Sequence, residues 1–390
     1  MSEIKVNSIK GVGSTDAAIT INNSDGTCTA NITNKPNRNL IINGAMQVAQ
    51  RGTSSTSTSY QTVDRFRLAF GGTDEALTQA QVDVASGTTP YTLGFKKAFK
   101  ITNGNQTSGA GASDYIEIYH HIEDQDISNS GWNFKSATSF ITISFWVKSS
   151  VSQKFTGFLY TNNAGEGDSY MYSYQIDNGS GGNLTADTWT KVTHSIQGSS
   201  SLTFNNDNTR GLAVGFYLFE GTDYSTSGHT ENTWAAWNSS NKIKDMTSTW
   251  YTTNDATFEI TGVQLEVSDH ATDFEHRSFA VEKKLCERYF KVFSTFPCIA
   301  AASSAIQAAL SFDMRATPSA SLSPSGKARI TDSAFADFDI SSGASLNEYN
   351  ATPTAMRLHV AGFSGLSTQK PMNWLATGTN QSDVHLSAEL

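Results

Sequence analysis

Apolar and polar residues alternate along most of this chain, at the two-residue period of a strand rather than the 3.6-residue period of a helix. In Phe140-Ile-Thr-Ile-Ser-Phe-Trp-Val-Lys148, one side carries Ile141, Ile143, Phe145 and Val147 and the other carries Thr142, Ser144, Trp146 and Lys148. That is the pattern of a half-buried strand. Comparable runs occupy 95–102, 115–122, 153–160, 170–176, 189–196, 212–219 and 257–267. About eight such strands, separated by Gly, Asn, Asp and Ser loops, predict a mainly β domain, a jelly-roll β-sandwich, over 39–275.

The stretch from Phe258 to Phe290 breaks that regularity and divides the chain. Phe258 and Ile260 alternate, then Val263, Leu265 and Val267 continue after Gly262, where the phase can shift. The Gln264-Leu-Glu266 run closes the sandwich. Ser278 is placed to cap a helix in which Val281, Leu285 and Tyr289 recur every four residues, with Phe279, Cys286 and Phe290 on another side. Residues 276–290 are therefore expected to form a connecting helix.

Two lighter modules flank the body. Residues 1–38 hold short β-runs around Ile4, Val6, Ile9, Ala18 to Ile21 and Ala30 to Ile32, with turn signals at Gly11-Val-Gly13 and Asp25-Gly26. So few apolar residues cannot bury a core, and such a segment is stable when copies wrap one axis or when it docks on another protein. Residues 291–390 predict a second, smaller β-sandwich. It has strands at 319–322, 328–331, 355–360 and 384–390, a small-residue strand over 300–309, and two Ala-Thr-Pro breaks, Ala316 to Pro318 and Ala351 to Pro353.

Composition narrows the function classes. Charged residues are only 16% of the chain and the formal charge is −9, with no Lys/Arg cluster, so nucleic acid is not an expected partner. No apolar h-region opens the chain and no run is long enough to insert in a membrane. Cys28, Cys286 and Cys298 are too scattered for a disulfide framework or a zinc site, and are expected to be reduced thiols.

Several ordered motifs carry a resemblance. Thr188-Trp-Thr-Lys-Val-Thr193 ahead of Ile260-Thr-Gly-Val-Gln-Leu-Glu266 looks like the pattern of jelly-roll carbohydrate-binding modules. A wider set resembles phage tail-fibre and virion-appendage proteins: Asn39-Leu-Ile-Ile-Asn-Gly44, Gln50-Arg-Gly52, Asp64-Arg-Phe66, Gln264-Leu-Glu266, Phe274-Glu-His-Arg-Ser278 and Cys286-Glu-Arg-Tyr289. The C-terminal Met314-Arg-Ala-Thr-Pro318 and Ser387-Ala-Glu-Leu390 are similar to terminal domains of such fibres. The resemblance implies a non-enzymatic virion protein, a homotrimeric tail fibre. Residues 1–38 would meet other virion proteins, such as a tail adaptor or nozzle, and 291–390 would form the tip. Phe279, Val281, Leu285 and Tyr289 would lie near the trimer axis. A fibre or decoration protein on the capsid is the competing virion reading, and a glycan-cleaving depolymerase the competing enzyme.

Catalytic motifs are missing. Gly362-Phe-Ser-Gly365 lacks the spacing of a nucleophile elbow, and no phosphate loop or other cofactor motif occurs. His120 and His121 are adjacent in a strand, so they point to opposite faces and cannot easily share a metal; they read as a polar strand end. Asn162 to Asp168 has oxygen ligands for Ca²⁺ but reads first as an acidic turn, so no metal is assigned. The aromatic stretch between two strands is the better site. Tyr224, Trp234, Trp237 and Trp250 lie in a long connection where an exposed indole can stack on sugar C–H while Asn, Asp and Gln take the hydroxyls. The expected ligand is a host cell-surface glycan, with a host protein as the alternative; Trp234 and Trp237 serve equally well, on sequence, to anchor the loop by packing.

Overall fold

The computed structural model describes residues 6–10, 17–21, 24, 28–30, 36–161, 169–376 and 381–390, with backbone only at 17 and 28–30. The Gly11-Val-Gly13 and Asp25-Gly26 turns and the Asn162 to Asp168 loop fall outside these residues. The protein is mainly β. At the N-terminus β1 (Ser8–Lys10), β2 (Ala17–Ile21) and β3 (Cys28–Ala30) form a separate antiparallel meander.

The sandwich follows. Its strands in chain order are β4 (Ser54–Ser55), β5 (Phe66–Gly71), β6 (Thr78–Asp83), β7 (Lys97–Thr102), β8 (Tyr115–Glu123), β9 (Phe140–Ser149), β10 (Phe155–Thr161), β11 (Tyr170–Ile176), β12 (Thr190–Gln197), β13 (Arg210–Glu220), β14 (Trp234–Ala236) and β15 (Thr257–Glu266). They make two six-stranded sheets, ordered β14-β11-β10-β13-β8-β5 and β12-β9-β15-β7-β6-β4. The chain crosses repeatedly between the sheets, as in a jelly roll. Ile141, Ile143, Phe145 and Val147 of β9 face the shared core, as their alternation predicts. In β15 the ladder shifts between Thr261 and Gln264, and Gly262 takes φ +64°. This bulge turns Phe258 and Ile260 before it, and Val263 and Leu265 after it, toward the same core. A Cβ at Gly262 would sit 2.7 Å from the Phe95 ring, so only glycine fits there.

Three short helices, α1 (Thr89–Thr92), α2 (Asp124–Ser128) and α3 (Thr249–Thr252), lie in the connections, and α4 (Phe279–Glu287) links the two β domains. Ser278 caps α4 by accepting from the Val281 amide. The helix stops at Glu287, so Tyr289 is not part of it; its buried residues are Glu282 and Cys286, while Phe279 and Val281 are exposed and Leu285 is half-buried. The C-terminal domain has a core of its own around Phe296, Ile306, Leu358, Val360 and Trp374, between a three-stranded and a seven-stranded sheet. The small-residue stretch forms a hairpin there, Thr295–Ala302 with Ala305–Ser311. Strands at Phe290–Phe293, Asp337–Ile340, Ser345–Tyr349 and Pro371–Leu375 are additional to those expected, being only four or five residues long, and the last strand ends at Ser387 rather than at Leu390.

Candidate functional site

The motif residues of the virion-protein resemblance are brought together, but at the junction between sandwich, helix and C-terminal domain. Asn39 Oδ1 accepts from the amides of Ile41 and Leu265, 3.0 and 3.1 Å away. Asn43 Nδ2 donates to the carbonyls of Val48 and Asp64, while its own amide donates to the buried Glu282. Gln50 Nε2 spans Asp64 at 2.6 Å and the Phe290 carbonyl at 2.9 Å. At the centre, fully buried Arg65 donates to Glu389 and, at 2.6 Å, to the His121 carbonyl, with its guanidinium 3.4 Å from the Tyr289 ring centre. Glu389 also meets Arg51 at 3.0 Å.

A second hub lies beside it. Glu123 accepts from Arg288 Nε and Nη2, both at 2.9 Å, and from the Tyr289 hydroxyl at 2.7 Å. Arg315 of the C-terminal domain approaches it at 3.9 Å and donates to the Ala388 carbonyl. Burial alone would raise the Glu123 carboxyl, but the hydrogen bonds from Arg288 and Tyr289 and the nearby guanidinium charges hold it below the usual carboxylate range. These groups satisfy one another. Their chemistry is that of a domain lock, and Tyr289 belongs to it, not to an exposed helical row.

Of the four aromatic candidates, one reaches an open cleft. Trp250 is fully buried against Phe155, its Nε1 donating to the Thr257 carbonyl, because α3 turns it into the core; its indole is not available to a ligand. Trp234 sits on edge strand β14, packs on Tyr172 and donates to the Gln197 carbonyl at 2.8 Å, which ties the loop to the sheet. Tyr224 is half-buried edge-on to Tyr115, with Lys242 Nζ 4.4 Å above its ring. Trp237, 45% exposed, packs at 6.0 Å on Tyr160 and lines a cleft of about 180 Å³ on the outer face of the β8 sheet.

Strand alternation supplies the rest of that cleft. In β8 the residues Ile116, Ile118 and Ile122 face the core, so Tyr119 and His121 face outward. Phe158 and Tyr160 of β10 and Tyr217 of β13 do the same, and Phe158 stacks on Tyr217 at 4.3 Å. Residues 221–249 fold over part of this face, burying Ile243 against Phe158 and Tyr217. The cleft that remains open is lined by Tyr119, Tyr160 and Trp237 with Arg67, Arg210 and Lys242, over a floor of His121, Phe158 and Tyr217. Lys242 is fixed by Glu117 at 3.0 Å and Glu220 at 2.7 Å, and neither carboxylate lines the cleft. Burial, then the adjacent Glu117, pushes the Glu220 carboxyl well above its usual range.

The strand aromatics do not stand out in the sequence because alternation alone does not tell which outward positions stay open and which a later segment covers. The available signal was an aromatic rather than polar outward phase at Tyr119, Phe158 and Tyr160. His120 and His121 are buried in mid-strand and not at a polar end; burial first, then Arg65 for His120 and Arg210 for His121, holds both rings well below the ordinary imidazole value and neutral. Among the described residues no group of His, Cys, Asp and Glu could hold a metal ion, and no helix is long and apolar enough to cross a membrane. Cys286 and Cys298 are buried free thiols.

No protein-family model and no curated protein sequence matches the chain. Among solved structures it is similar to the enzymatically active domain of tailspike protein 4 of bacteriophage CBA120, at 12% identity and TM-score 0.31, over 60% of this chain but only 22% of that one. It is also similar to the carbohydrate-binding module CBM4, at 13% identity and TM-score 0.28, over 58% of this chain and 99% of that one. A third is the family 11 carbohydrate-binding module from Clostridium thermocellum in complex with a β-1,3-1,4-mixed-linked tetrasaccharide, at 12% identity and TM-score 0.25, over 57% and 98% of the two chains. These likenesses concern architecture and assign no residue of this chain a role.

Proposed function

We propose that this chain is a non-enzymatic bacteriophage appendage protein, a homotrimeric tail fibre of the virion, whose sandwich holds a host-surface glycan in the Trp237 cleft. The observation that carries the glycan reading is the rim of that cleft. Trp237, Tyr160 and Tyr119 offer π-faces for sugar C–H, and the polar groups beside them can take hydroxyls. Among the described residues no carboxylate lines the cleft, which favours binding over hydrolysis. The attachment role of residues 1–38 is supported by the meander, whose Ile9 is 51% exposed in a sheet too small to bury a core. Trimerisation is supported by Phe279 and Val281 of α4, 54% and 51% exposed. Three weak sites on one fibre would then gain firm attachment through effective concentration.

The test uses the full chain on an array of host-surface glycans, with infection blocking and reducing-sugar release measured in parallel. Trp237→Ala should lose glycan binding at least about tenfold while its unfolding midpoint stays unchanged, since the side chain lies on the surface. Binding unaffected by this change would refute the site, and release of reducing sugar would overturn the non-enzymatic reading.

A further inference from the structure

A second cleft opens on the outer face of the β9 sheet, on the other side of the sandwich from Trp237. Trp146 sits in the outward phase of β9, and the ladder places Lys191 of β12 directly opposite it. Both line a hollow of about 280 Å³ together with Asp273, Phe274 and His276 from the connection between β15 and α4. The bulge in β15 builds one wall. With no side chain at Gly262 the Phe95 ring seats there, Phe274 packs edge-on to that ring at 4.9 Å, and His276 lies 5.1 Å from it. The connection is braced as well: the Thr272 amide donates to Glu266 at 2.8 Å and the Glu275 amide to Gln264 Oε1 at 2.8 Å. The cleft is therefore pre-formed, and a ligand need not order its walls.

The chemistry of the lining defines the ligand. Trp146 and Phe274 are half-buried and offer apolar ring surface, whereas Lys191 and Asp273 are exposed and of opposite sign. His276 Nε2 donates to the Leu93 carbonyl at 2.9 Å, which in the uncharged ring makes Nδ1 an acceptor. We infer that this cleft is a second saccharide site, for a single uncharged sugar residue: the ring packs on Trp146 and Phe274, Asp273 accepts from its hydroxyls and Lys191 donates to them. A charged sugar would be drawn to one of these side chains and repelled by the other, while hydroxyls satisfy both. The volume falls just under the roughly 300 Å³ at which sites for drug-sized ligands begin, which suits one ring rather than a length of chain. The site stands on its own residues and does not depend on the Trp237 cleft.

The experiment is fluorine NMR of the full chain labelled with 5-fluorotryptophan, so that each of the seven tryptophans reports separately. The Trp146 and Trp237 signals are assigned by their loss in Trp146→Phe and Trp237→Phe. The probes are methyl α-glucoside, methyl β-galactoside, methyl α-mannoside, and methyl α-glucuronide as the charged counterpart of the glucoside. At least one uncharged glycoside should move the Trp146 signal, and its titration midpoint should weaken about tenfold or more in Asp273→Ala and in Lys191→Gln. Both changes lie at exposed positions, so the unfolding midpoint should hold. A Trp146 signal that stays in place while that of Trp237 moves overturns this site and leaves the Trp237 cleft standing. An unchanged midpoint in Asp273→Ala and Lys191→Gln overturns the assigned contacts, and a glucuronide that binds as well as the glucoside overturns the uncharged class. If neither tryptophan signal moves, this site is overturned, and the glycan array judges the other cleft by itself.

Discussion

The domain lock makes the sharpest demand on the structure, and Glu389→Ala tests it. Arg65 is fully buried and Glu389 nearly so, the first from the sandwich and the second from the C-terminal domain. Removing Glu389 leaves the guanidinium with only the His121 carbonyl and the Tyr289 ring. Breaking a buried pair from one side costs about 3–5 kcal/mol, because the remaining charge stays desolvated. That lowers the docking constant of the C-terminal domain by roughly two to three and a half orders of magnitude. Undocking gives Arg65 back to water, so the loss is limited by the docking free energy and appears as lost cooperativity. Calorimetric unfolding should pass from one transition in the unmodified protein to two, since each domain keeps its own core. The pair Arg65→Met with Glu389→Leu removes both charges and should recover part of the coupling. A single transition at an unchanged midpoint in Glu389→Ala would refute the lock.

Two further outcomes follow from local chemistry. Gly262→Ala forces a Cβ into the Phe95 ring at a positive φ and should cost about 2–4 kcal/mol in urea unfolding; a change below about 0.5 kcal/mol would show that β15 has no bulge there. His120 and His121 have folded values well below the 6.5 of free imidazole, so below that pH the unfolded chain takes up protons the native state refuses. Their stabilisation is fully present above pH 6.5 and is lost as pH falls, by at most about 1.4 kcal/mol per pH unit for each ring. Glu123, depressed below 4.5, adds its own loss as pH falls further, and a urea midpoint that is flat from pH 7.5 to 5.5 would exclude buried neutral histidines.

Much of the architecture was legible because period two is a strong signal where one strand face meets a core. The phase of β9, the Gly262 shift in β15 and the Ser278 cap all came from side-chain chemistry local to a few residues. The helix face was not legible. Nine residues give too few turns for a row to declare itself, and one buried member is an acid, Glu282, matched to the Asn43 amide of a distant segment and to Arg277 just ahead of the helix. Trp250 and Trp237 look equivalent in sequence, yet a four-residue helix sends one inward and a loop end leaves the other at the cleft. Periodicity distinguishes two faces; it does not say which segment will cover the outer one.

The lock and the cleft share one strand, and this links the motif residues to the proposed binding surface without placing them in it. Along the last five residues of β8, Tyr119 lines the cleft, His121 forms part of its floor, and Glu123 anchors Arg288 and Tyr289. His121 touches both regions: its carbonyl accepts from Arg65, its Nδ1 lies 3.0 Å from the Tyr60 hydroxyl, and its Nε2 faces Arg210. Burial raises the Tyr60 hydroxyl to about 12, so it remains protonated within the contact, 3.2 Å from the Leu390 carbonyl. The orientation of the His121 ring, and through it the seat of Arg210, is therefore set partly by groups that the docked C-terminal domain supplies.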